Sequence, residues 1–159
     1  MTSAASSYPT RETGPVRTVI RIINEAGDWL GRVPLPVIEL AMRVGIALVF
    51  WKSGMTKIAS WDLTVGLFEN EYQVPLLSAE TAAYLGTANE LIASVLLMIG
   101  LGTRFGAAAL LGLTFVIQVF VYPENWSEHL LWASLLAYFL CRGAGVLSLD
   151  HMIARILLR

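Results

Sequence analysis

Residues 81–101 read TAAYLGTANELIASVLLMIGL, and residues 105–122 read FGAAALLGLTFVIQVFVY. Together they hold one charged residue, Glu90. A helix needs roughly 20 residues to cross a hydrocarbon core of about 30 Å, and both runs meet that length. In lipid each backbone N–H and C=O must find a partner within its own segment, so runs of this kind become helices. Two more apolar segments flank them, at about 36–55 and about 126–142. Those two are less apolar and use their flanks or local thinning to reach across. The sequence therefore predicts an all-α integral membrane four-helix bundle.

Composition agrees. The 159 residues are 56% hydrophobic and 14% charged, and mean hydropathy is +0.64. A soluble domain is about a quarter charged, so a disordered chain, a coiled coil and an ordinary soluble enzyme are excluded. Net charge is −1 with no basic stretch, which excludes nucleic acid as a partner. The single cysteine, Cys141, allows neither a disulfide framework nor a CxxC site, and reads as a small packing residue. No charged n-region and apolar h-region with a small-residue cleavage site opens the chain, so no cleaved leader is expected.

Outside the spans, residues 1–15 are Ser/Thr/Pro-rich and read as a disordered tail, leaving 16–159 as one domain. Val16, Val19, Ile20, Ile23 and Ala26 recur at helical spacing, with Arg17, Arg21, Asn24 and Glu25 on other faces. That pattern predicts an amphipathic helix lying in the membrane interface, broken at Val33-Pro34-Leu35-Pro36. A second interfacial helix is predicted over 148–158, with Leu149, Met152, Ile153, Ile156 and Leu157 on one side. Residues 60–78 read as a polar, acidic loop containing Trp61, Tyr72 and Pro75.

Basic residues orient the chain. Arg11, Arg17, Arg21 and Arg32 precede the first span, Arg104 lies between spans two and three, and Arg142, Arg155 and Arg159 follow the fourth. The opposite side carries only Lys52 and Lys57 among acidic residues. The positive-inside rule then places both termini in the cytoplasm. Trp51, Trp61, Tyr122 and Trp126 form an aromatic belt at the outer face.

Glu39, Arg43 and Glu90 fall inside spans, where each costs roughly 2.5 kcal/mol or more unless paired or hydrated. Arg43 lies seven residues past Pro36, about 10 Å from the cytoplasmic edge. Glu90 lies eleven residues before Leu101, about 16 Å from the same edge. Arg43 cannot deprotonate, so an Arg43–Glu90 pair between spans one and two is expected, with Glu39 nearer the inner interface. The pair serves either as a staple that sets helix register or as the polar end of a pocket. Lys57 and His129 fall near one depth at the outer face. They read either as a snorkelling lysine and a helix-start residue or as the mouth of that pocket. Asn89 and Gln118 offer hydrogen bonds between helices. Gly102, Gly106 and Gly112 mark close helix approach, and Gly102-x-x-x-Gly106 leaves a homo-oligomer open. His129 with no second soft ligand beside it gives no metal site. No GxGxxG, Walker A or HExxH motif and no Ser or Thr with a paired base is present, so no catalytic set is assigned.

Several ordered pieces carry a resemblance. They are Arg43-x-Gly45 through Phe50-Trp51-Lys52-Ser53-Gly54-x-x-Lys57; Glu90 followed by Leu96-Leu97-Met98-Ile99-Gly100-Leu101-Gly102-Thr103-Arg104; His129-Leu130-Leu131; and Gly143-Ala144-Gly145-x-x-Ser148-Leu149-Asp150. This set resembles the DoxX family of small bacterial inner-membrane proteins, over about 34–152. Tyr122-Pro123-x-x-Trp126-x-x-His129 resembles the branch found beside pathways for modified copper-binding peptides. The resemblance implies a multi-pass protein of the bacterial inner membrane with cytoplasmic termini, and a redox-linked accessory role facing quinone. Family members with paired cysteines exchange thiols; one cysteine does not support that here.

Three functions follow. The first is an accessory subunit holding a quinone-like small molecule in an intramembrane pocket, with Arg43, Glu90, Lys57 and His129 as its ligand-binding residues; quinone is then the expected cofactor. The second is a noncatalytic anchor that assembles protein partners in a membrane complex. The third is a small transporter accessory gated by Arg43 and Glu90. A reporter that is active only in the cytoplasm should be active when fused after Arg159. A periplasmic signal at that position would overturn the four-span reading.

Overall fold

A computed structural model of the chain describes residues 14–157. It is helical apart from turns and connections, and divides after Pro34 into two compact units. Of the expected 1–15 tail, residues 1–13 lie outside the described residues, as do the last two residues of the chain. Pro15 already begins a helix.

The first unit is helix α1, Pro15–Leu30. Proline suits a first helical turn, because its missing N–H would have no intrahelical partner there. No α1 residue is buried, and Val16, Val19, Ile20, Ile23, Trp29 and Leu30 are all exposed. Arg21 and Glu25 pair along its surface at 3.6 Å.

The second unit contains α2 (Leu35–Ala59), α3 (Trp61–Leu67), α4 (Ala79–Ile99), α5 (Thr103–Val116), α6 (Trp126–Arg142) and α7 (Leu149–Leu157). Two π-helical turns extend α3 and α5, over Phe68–Tyr72 and Ile117–Val121. Among the described residues, α4 and the continuous stretch Thr103–Val121 are each long and apolar enough by themselves to cross a membrane. Helix α2 has 25 residues but carries Glu39, Arg43, Lys52 and Lys57, and α6 has 17 residues.

The main core joins four helices. Ile46, Ala47 and Phe50 of α2 pack with Ala93 and Leu97 of α4, Ala107 and Leu110 of α5, and Leu136 and Phe139 of α6. Glycines set two of the approaches. A Cβ on Gly54 would come within 2.8 Å of Leu91, and one on Gly106 would come within 2.8 Å of Leu97 and 3.2 Å of the Ala93 carbonyl. Gly112, also expected at a close approach, instead has nothing within 4 Å.

The predicted polar loop at 60–78 is corrected by α3 and its π turn. Phe68, with Trp61, Val65 and Tyr72, forms a second core against Ala79, Ala82 and Ala83. Asp62, Glu69 and Glu71 point outward. The acidic face suggested a loop, but the apolar residues at spacings of three and four form a short amphipathic helix. Cys141, expected to be packed, is exposed.

Helix α4 ends at Gly100, whose φ of 71° lets its N–H close on the Leu96 and Leu97 carbonyls. The cap of α5 comes from far along the chain. Asp150 accepts from the N–H groups of Gly102 and Thr103 at 2.8 and 3.1 Å, placing a negative charge at the positive end of the helix. Gly106→Leu should lower the thermal midpoint in detergent, costing about 1–3 kcal/mol by overpacking. Gly112→Ala, facing open space, should be neutral or gain about 0.5–1 kcal/mol.

Candidate functional site

Ser53 and Lys57 stand one helical turn apart on α2, beside the Gly54 contact with α4. That close approach brings the Lys57 stem alongside Glu90. The ammonium donates to both Glu90 carboxylate oxygens, at 2.7 and 2.8 Å, and to Ser53 Oγ at 2.8 Å. Ser53 in turn donates to Glu90 Oε1 at 3.2 Å. The Glu90 side chain is 3% exposed and that of Lys57 19%. Charge-assisted bonds of this length are the stronger class, and the carboxylate is fully engaged.

The pair stands in the wall of a cavity of about 620 Å³. Phe50, Phe68 and Trp132 are among its mostly apolar walls, and Asn89, Glu128 and His129 add polar groups. Phe50 and Trp132 meet edge to face at 5.3 Å. Volumes between about 300 and 1,000 Å³ with a few convergent polar groups are typical of small-molecule sites. Both π turns border the cavity, through Phe68 and Tyr72 on one and Ile117 and Val121 on the other. Such turns recur at functional sites because they re-aim side chains out of α-helical register.

The second π turn aims Gln118 at His129. Gln118 Nε2 donates to the Pro123 carbonyl at 2.7 Å, so its Oε1 accepts from His129 Nδ1 at 2.7 Å. In the neutral imidazole this assigns the proton to Nδ1 and leaves Nε2 as an acceptor. Tyr72 and Tyr122 meet hydroxyl to hydroxyl at 3.2 Å, and Tyr122 donates to Glu71 at 3.3 Å. Burial, and then the hydrogen bond with Tyr122, raise the Tyr72 pKa above its ordinary value. Tyr72 is therefore a neutral donor across the physiological range.

Of the sequence-predicted residues, Lys57, Glu90 and His129 line this one cavity with Asn89, which donates to the Ala109 carbonyl at 3.0 Å. Arg43 does not join them. The expected Arg43–Glu90 pair is replaced by Lys57–Glu90, because α2 stays helical through Ala59 and its contact at Gly54 brings Lys57 to Glu90. Arg43, 1% exposed, donates instead to the Ala144 and Leu147 carbonyls, the latter at 2.7 Å. It holds the connection between α6 and α7 against the α4–α5 turn. Glu39 accepts from the Tyr138 hydroxyl at 2.7 Å. Sequence reasoning missed Ser53, although its four-residue spacing from Lys57 is the signal that finds it. Nothing local in the sequence announced Trp132 or the π turns.

The DoxX family model matches residues 38–123. The chain belongs to the DoxX family. Searches of the curated proteins and of the solved structures each found no match. Within this DoxX chain the matched stretch includes Ser53, Lys57, Glu90 and Gln118, while His129 lies beyond it.

Lys57→Met strands a buried carboxylate and should cost about 3–5 kcal/mol of stability in this DoxX protein. Adding Glu90→Gln should recover much of that loss, because the stranded charge is gone. Arg43→Gln and Glu90→Gln should instead be additive to within about 0.5 kcal/mol, as separate sites are. Thermal unfolding of the three single and two double variants in detergent measures both cycles.

Proposed function

We propose that this DoxX protein is a multi-pass protein of the bacterial inner membrane with both termini cytoplasmic. In this reading α2, α4, α5 and α6 cross as a four-helix bundle, and α1 and α7 lie in the interface. Its cavity holds a quinone-like small molecule, and the protein works as a redox-linked accessory subunit. The family and the two strongly apolar helices support the membrane setting. The observation that carries the ligand reading is the Lys57–Glu90 pair, a buried polar end on an otherwise largely apolar cavity.

The chemistry fits a ring bearing oxygen atoms. A carbonyl oxygen needs a donor, which the second amide N–H of Asn89 supplies beside the Lys57 charge; a hydroxyl needs an acceptor, which His129 Nε2 supplies. Phe50 and Trp132 offer aromatic faces and edges for the ring. Arg43, engaged with backbone carbonyls elsewhere, has no part in this contact set. A second reading, a noncatalytic anchor for partner proteins, is favoured by α1, which buries none of its apolar residues.

Titration of the purified protein in nanodiscs with decylubiquinone, read by tryptophan fluorescence, tests the ligand reading. Saturable quenching is expected, and His129→Leu should weaken it about tenfold, a loss of about 1.4 kcal/mol. Quenching that never saturates and is the same in His129→Leu would overturn it. Copurification of a stoichiometric protein partner with no bound small molecule would favour the anchor.

A further inference from the structure

Helices α4 and α5 leave their shared turn locked together and then part. At Gly106 the backbones are in close approach, with the Ala93 carbonyl 3.2 Å from where a Cβ would stand. One turn further along, Asn89 spans the gap to the Ala109 carbonyl with its side chain, at 3.0 Å. Another turn on, Gly112 meets nothing within 4 Å. The cavity with the Lys57–Glu90 pair fills this widening gap, for Leu85, Asn89, Ala109 and Gly112 all line it. Leu85, Ala109 and Gly112 are exposed as well. Both helices are long and apolar enough to cross a membrane by themselves, so the surface between them meets hydrocarbon tails.

We propose that the α4–α5 gap is a lateral portal, through which a membrane-dissolved amphiphile with an oxygen-bearing head and an apolar tail enters the cavity from the bilayer. This rests on the cavity being a ligand site. The portal is walled by Leu85 and by two positions with almost no side chain, Ala109 and Gly112, so a tail can remain in it after the head has passed. Asn89 stands at its narrow end with an amide that offers the head a hydrogen bond on the way to Lys57. The cavity also reaches Asn125 and Glu128, both exposed and polar. That end admits a short water-soluble molecule but offers a long tail nothing apolar. Tail length therefore separates the two routes.

The test uses the full chain in lipid vesicles and stopped-flow tryptophan fluorescence, the signal lost in a Trp132→Phe protein being that of the cavity. One probe is decylubiquinone dissolved in the bilayer; the other is 2,3-dimethoxy-5-methyl-1,4-benzoquinone, which lacks the tail, added in water. Gly112→Phe fills the portal and should slow decylubiquinone uptake about tenfold, a barrier increase of about 1.4 kcal/mol. It should leave the untailed quinone unchanged. Gly112→Leu should do the same if phenylalanine disturbs folding, as judged by thermal midpoint. Gly45→Phe, on an exposed and equally open position of α2, should match the parent. Uptake of decylubiquinone by both Gly112 variants at the parent rate would overturn the portal and leave the ligand site standing. Binding of the untailed quinone alone would do the same. A parent protein whose Trp132 responds to neither probe would overturn the ligand site and the portal together.

Discussion

A carboxylate in the interior of an apolar helix costs several kcal/mol unless a cation reaches it, and Glu90 on α4 sets that condition for the rest of the molecule. Only a long side chain can meet it, and only if the neighbouring helix comes close. Gly54 allows α2 to do so, and Lys57 and Ser53 then close around the carboxylate. At that level α4 lies close to α2, while its gap to α5 is spanned by the Asn89 side chain. The cavity lies where α4 and α5 separate and where π turns interrupt regular packing. The polar pair and the empty space thus adjoin at one level of α4.

The opposite end of the unit answers the same problem differently. Arg43 is as buried as Glu90 but donates from its two terminal nitrogens to the carbonyls of Ala144 and Leu147. Carbonyls that close no helix need donors, and the α6–α7 connection is made of such groups. Asp150, held at the start of α5, completes the tie by accepting two backbone N–H groups. Charge at this end therefore fastens a chain reversal, whereas charge at the other end lines a cavity.

The helices were legible in the sequence wherever length and apolarity agree, as for 81–101 and 105–122. Depth along the helices grouped Lys57 with His129 but set Glu90 with Arg43, whereas the structure puts Lys57, Glu90 and His129 around one cavity. Depth alone misassigned Arg43, because axial position says nothing about which face a side chain takes or which glycine lets a neighbour approach. Residues 60–78 misled for a related reason: their charges are conspicuous, while the apolar stripe of Trp61, Val65, Phe68 and Tyr72 is short. The π turns over Phe68–Tyr72 and Ile117–Val121 have no local signature in the sequence.

The Lys57–Glu90 pair carries opposite charges that cancel within one hydrogen-bonded unit. A neutral guest binding beside it transfers no net charge through the membrane's electric field. Each unpaired charge moved across the whole field would gain or lose about 2.3 kcal/mol per 100 mV. A cavity headed by a lone lysine or a lone glutamate would instead make any compensating ion part of the binding event. For the proposed neutral guest, self-neutralisation would make occupancy of this cavity independent of membrane voltage, so that an energised and a de-energised cell would load it alike.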